Sequence, residues 1–99
     1  LTEKSELKRI GAKPHKNSGR GMKKADGSLE DFVVDVKEYS KSFSISQDVW
    51  AKIVTDTLRV DPSKSPVLMV VLGEKQKVRL AIIEWNEFES LRKEAKRNE

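Results

Sequence analysis

An α/β domain with a mixed sheet flanked by helices is the fold class this sequence predicts, and three stretches predict it. Phe32-Val33-Val34-Asp35-Val36-Lys37-Glu38-Tyr39 is rich in β-branched and aromatic residues and reads as a strand. Val49, Trp50, Ile53, Val54 and Leu58 recur at helical spacing and make the central helix. Val67 to Leu72 is an unbroken apolar run between Pro66 and Gly73, as expected for a strand covered on both faces. With 99 residues the chain is one domain, residues 1–99, and its modest core would gain from a partner subunit.

Taken in order, Thr2 suits an N-cap and Glu3 to Arg9 two helical turns that end before Gly11. Residues 12–16 form a short extended segment that Pro14 confines to an edge or a loop. Asn17-Ser18-Gly19-Arg20-Gly21 is a turn-rich loop without the spacing of a nucleotide-binding P-loop. Gly27-Ser28 turns the chain into the Phe32 strand, Ser46 caps the central helix, and Asp61 to Pro66 breaks it. Residues 78–85 read as a second strand in a hairpin. A last helix follows, capped by Asn86 with Glu89 three residues on, anchored by Phe88 and Leu91 and fraying from Lys93.

Composition narrows the function classes. There is no Cys and one His, so disulfide staples, Cys-based zinc sites and His-rich metal centres gain no support. No apolar run approaches the ~20 residues that span a bilayer, and no leader pattern opens the chain, so the expectation is a soluble, cytoplasmic protein. The net charge of +4 is unevenly spread: residues 1–24 hold eight Lys/Arg against two Glu, while the rest of the chain is slightly acidic. A basic arm leading into an acidic centre suits a polyanionic substrate held beside a cation.

The chemistry is concentrated in Asp26 and in Asp35-Val36-Lys37. On a strand, Val33, Asp35 and Lys37 share one face, and Asp35 and Lys37 stand ~7 Å apart along the backbone. Asp26 enters from the preceding turn. Two carboxylates can hold a hard divalent cation, and an adjacent ammonium can orient a water. The plainest competing reading of Asp-x-Lys on a strand is an ordinary ion pair in a small structural domain.

Asp26, eight intervening residues and then Asp35-Val36-Lys37 resembles the D…(D/E)xK site of the PD-(D/E)xK nuclease superfamily. A Glu-bearing first helix, Ser18-Gly19-Arg20 and Ser44-Ile45-Ser46-Gln47 follow the order of small phage-type nucleases related to archaeal Holliday-junction resolvases. Asp35 stands where Glu is commoner, and no Pro precedes Asp26. The resemblance implies a restriction-endonuclease-like core and a Mg²⁺-dependent DNA endonuclease, with Mn²⁺ as substitute, acting on branched DNA as a homodimer. It implies Asp26, Asp35 and the Val36 carbonyl as metal ligands, Lys37 beside the attacking water, and Gln47 near that water or the phosphate. It also implies one further helix acid, Glu3 as first choice and Glu6 as second. Ser18 and Arg20 suit a phosphate, Lys23 and Lys24 belong to the basic arm, and Lys41 and Lys52 are weaker backbone contacts. The alternatives are a flap, nicking or general DNA nuclease, or a DNA-binding module that does no chemistry.

Overall fold

The computed structural model describes residues 3–14 and 26–97, with only the backbone of Glu3 and Lys4. The elements are α1 (Glu3–Arg9), β1 (Lys13–Pro14), β2 (Gly27–Ser28), β3 (Phe32–Tyr39), α2 (Gln47–Val60), β4 (Ser65–Leu72), β5 (Val78–Ile82) and α3 (Trp85–Arg97). Five strands form one mixed sheet in the order β1-β2-β3-β4-β5. β3 and β4 are parallel and joined through α2, and the remaining neighbours are antiparallel. The expected α/β class and mixed sheet are therefore present.

Local chemistry sets the element ends. α1 stops in a left-handed turn at Gly11, φ 75°, where Ala12 N–H reaches the Leu7 carbonyl at 2.9 Å and Gly11 N–H the Lys8 carbonyl at 3.2 Å. That pair of bonds is the Schellman arrangement, and it fills carbonyls the helix leaves open. Ser46 caps α2 as expected, its hydroxyl accepting from Val49 N–H at 3.2 Å. Asp61 then organises the turn after α2, accepting from both the N–H and the hydroxyl of Ser63.

Alternation along β3 divides the core in two. Val34 and Val36 face α1 and join Leu7, Ala12, Met69 and Val71. On the opposite face Leu68 and Val70 of β4 pack beneath Ile53 of α2, with Val49, Trp50 and Phe43 closing over them. β4 is thus covered on both sides, as its unbroken apolar sequence requires. The register between β3 and β4 sets Asp35 beside Leu68 and Lys37 beside Val70, so both charges lie on the α2 side. Ser65 N–H to the Asp31 carbonyl at 2.9 Å and Lys64 Nζ to the Leu29 carbonyl at 2.7 Å tie the entries of the two strands together.

Two expectations are corrected at the C-terminal end. β5 ends at Ile82 rather than at residue 85, and α3 begins at Trp85, so Asn86 lies inside its first turn instead of capping it. The Glu84 carbonyl accepts from Glu87 and Phe88 N–H at 3.0 and 3.1 Å, while the Trp85 and Phe88 rings meet at 5.1 Å. That ring contact holds the earlier start. The helix continues to Arg97 instead of fraying at Lys93, and the expected anchors Phe88 and Leu91 stay partly exposed: no residue of α3 is buried. No helix among the described residues is long and apolar enough to cross a membrane.

Candidate active site

β2 is only two residues long, and the way it ends decides the site. Gly27 pairs with Val34 and Ser28 with Val33. The regular register stops there: the Asp26 N–H donates at 3.1 Å to the carbonyl of Val34, which is already Gly27's partner. The Asp26 carboxyl nonetheless comes within hydrogen-bond reach of the Asp35 carboxyl. The Asp26 side chain then takes over where β2 begins: Oδ2 accepts from the Val36 N–H at 2.7 Å. Asp26 is buried and held at both ends. Gly27 makes this approach possible, because a Cβ there would stand 2.8 Å from Leu7 Cδ2 and 3.0 Å from the Lys13 carbonyl oxygen.

Lys37 lies two residues beyond Asp35 on the same face, its Nζ 3.4 Å from Asp35 Oδ2. Burial pushes the Asp35 carboxyl up to about 6 from an ordinary 3.8; its hydrogen bond with Asp26 and the Asp26 charge push the same way, and Lys37 only partly opposes them. Two facing carboxylates with too little water between them hold a proton in common or require a cation. For Lys37 burial disfavours the ammonium, but its attraction to Asp35 and Asp26 outweighs this and raises its pKa. The three side chains therefore form one electrostatic unit.

The fit to a divalent cation can be tested on the donors. Asp26 and Asp35 offer hard oxygens that already strain to share positive charge. In a strand a residue's N–H and carbonyl point to the same side, so the Val36 carbonyl lies on the edge where its N–H meets Asp26. No group of three His, Cys, Asp or Glu gathers among the described residues. Two carboxylates and one carbonyl suit Mg²⁺, which keeps several waters and takes few protein ligands.

The other expected residues divide. Glu6 is not free to serve this site: it is fully buried and bound by Arg79, Nε to Oε1 at 2.8 Å and Nη2 to Oε2 at 3.3 Å, with Arg9 at 3.7 Å. The Arg79 hydrogen bond holds the Glu6 carboxyl below its usual range against the opposing effect of burial. Arg79 pairs with Val71, which faces α1, so this cluster lies across the sheet from Asp35. Lys52 is likewise engaged, by Asp56 at 3.1 Å one helical turn on. Gln47 opens α2 and Lys41 precedes it, both exposed. Ser18, Arg20, Lys23 and Lys24 lie outside the described residues, as does the Glu3 side chain.

The sequence reading missed Arg79 as the partner of Glu6, 73 positions away, and the bond from Val36 N–H to Asp26; neither leaves a local signal. Comparison with models of known protein families, with curated proteins and with solved structures finds no match to this chain.

Proposed function

We propose that this chain is a Mg²⁺-dependent endonuclease that hydrolyses phosphodiester bonds in DNA, built on a restriction-endonuclease-like core of the PD-(D/E)xK kind. The observation that carries the proposal is the Asp26 and Asp35 carboxyls within hydrogen-bond reach of each other, with the Lys37 ammonium 3.4 Å from Asp35. Its preferred substrate is branched DNA such as a four-way junction, cut by a homodimer in the cytoplasm. That choice of substrate rests on the sequence resemblance.

Asp26, Asp35 and the Val36 carbonyl are the residues that would hold the metal. When bound, the cation supplies Lewis-acid polarisation of the phosphate and lowers the pKa of a coordinated water. The Val36 N–H fixes the Asp26 carboxylate beside Asp35. Lys37, beside Asp35, would position the attacking water. Lys37 places positive charge where the pentacovalent phosphate gathers negative charge, and its position on a strand makes that charge preorganised. Gln47 and Lys41, exposed at the start of α2 and before it, are available to the DNA backbone.

One observation favours a second reading. With Glu6 committed to Arg79, two acids rather than three are placed at the site among the described residues. A DNA-binding module that retains the fold without cutting needs no third acid. The deciding experiment incubates the protein with Mg²⁺ and labelled four-way, flap and linear duplex DNA, with Asp35→Asn alongside. Cutting of the four-way substrate that Asp35→Asn abolishes supports the proposal. Equal cutting of all three removes the junction preference, and binding with no cutting by the wild type leaves the binding module.

A further inference from the structure

β5 ends the sheet: among the described residues no strand lies beyond it, and its outer row of N–H and carbonyl groups has no ladder. Proteins blunt such an edge with proline, a bulge, charged side chains or a covering helix. Of these β5 carries one charged side chain, Arg79, and its register with β4 has no bulge. It contains no Pro; Arg79 is drawn to Glu6 and the adjacent Lys77 to Glu38, so the nearby positive charges are neutralised within the chain. α3, which follows, buries no residue. Val78 and Leu80, on the α2 side of the sheet, are 54% and 45% exposed, and Trp85 is 71% exposed.

We infer that β5 pairs with β5 of a second copy of this chain, antiparallel and centred on Leu80. The occupant follows from self-complementarity. About that centre Val78 meets Ile82, Arg79 meets Ala81 and Leu80 meets Leu80 of the partner subunit, so the α2 side of the new ladder is apolar throughout. Continued outward, the register opposes Lys77 to Ile83 and Gln76 to Glu84, and no like charges face each other. Centring on Arg79 instead would oppose two guanidinium groups. A strand paired antiparallel with its own copy generates a two-fold axis, the commonest symmetry of homodimers.

Val78 and Leu80 stand exposed on the edge strand itself, and Trp85, Phe88 and Leu91 are exposed on α3, which starts three residues after β5 ends. The two-fold runs perpendicular to the sheet, so both copies keep the α2 side on the same face of a ten-stranded sheet. The two β3 strands are then five strand intervals apart, about 24 Å before twist is counted. The inference names the seam of the homodimer proposed above but does not depend on the chemistry at Asp26 and Asp35, which the cleavage assay tests separately; if both hold, two Asp26/Asp35 sites face one side at that spacing.

Sedimentation of the chain over a micromolar concentration series tests it. The expected result is a particle of twice 11.3 kDa. Leu80→Lys, at an exposed position, should raise the dimer Kd by about tenfold or more with an unchanged circular dichroism spectrum. Because the chain lacks Cys, Leu80→Cys should cross-link to a disulfide dimer on mild oxidation, well ahead of a Glu94→Cys control on α3. A wild type that sediments as a monomer throughout overturns the inference. So does a dimer indifferent to Leu80→Lys, or a Glu94→Cys variant that cross-links as fast as Leu80→Cys.

Discussion

Replacing Asp35 by Asn removes one of two facing carboxylates while preserving its shape, and in metal-free solution it should stabilise the protein. Raising the Asp35 carboxyl from 3.8 to about 6 on folding corresponds to about 3 kcal/mol of lost stability once the group is ionised, at about 1.4 kcal/mol per pH unit. Two effects reduce the gain: the ion pair to Lys37 disappears, at up to about 1 kcal/mol, and the buried amide retains a desolvation penalty. A net gain of about 1–2 kcal/mol remains, or roughly 5–15 °C in the unfolding midpoint of a domain this small. The assay is thermal unfolding at pH 8 in chelator, with wild type and Asp35→Asn in parallel, followed by titration with Mg²⁺ or Mn²⁺. A cation at ten times its Kd adds about 1.4 kcal/mol to the wild type and should add nothing to the variant, so the two midpoints converge. An Asp35→Asn protein less stable than wild type in chelator, together with a wild-type midpoint unmoved by either cation, would refute the reasoning that these carboxylates repel and await a cation.

The pH profile of the metal-free protein should be tilted to acid. Asp35, whose pKa is raised on folding, takes up its proton as pH falls from about 6 towards 4 and adds stability over that window. Glu6, whose pKa is lowered, withdraws stability below its unfolded value of about 4.5, so denaturant midpoints should peak between the two windows. Lys37→Met should abolish DNA cleavage while cation-induced stabilisation persists, as read by nicking and thermal shift side by side. Arg79→Met should lower the unfolding midpoint by about 10 °C or more because it strands a buried carboxylate, and Glu6→Gln added to it should recover much of the loss. Gly27→Ala forces a Cβ to 2.8 Å from Leu7 Cδ2 and should destabilise by about 1–3 kcal/mol in urea unfolding, weakening the cation response through Asp26 next door.

Much of the architecture was readable because local pattern and global fold agree along the middle of the chain. β3, α2 and β4 were each announced by periodicity that matches their burial, and Ser46 and Gly11 marked ends that depend on backbone chemistry. Asp26 and Asp35 meet because the eight residues between them make a single tight return, and Asp26, just before β2, is held by the Val34 carbonyl and the Val36 N–H beside Asp35. Glu6 could not be assigned from its neighbours. Two helix acids three apart look alike in sequence, and only a guanidinium delivered by β5 shows which of its surroundings Glu6 serves. α3 departs from the reading for the opposite reason: its apolar stripe looks like an anchor, but Trp85, Phe88 and Leu91 stay exposed and no residue of the helix is buried.

The bond from the Val36 amide to Asp26 gives one carboxylate two duties that can be pulled apart. As an architectural acceptor it completes a strand margin that β2 is too short to reach; as a negative charge it would, in the function proposed above, attract the cation. An Asp26→Asn substitution keeps the first duty and deletes the second, whereas alanine deletes both. A carboxylate built in this way keeps its place whether or not a cation is bound, because one of its oxygens is part of the weave.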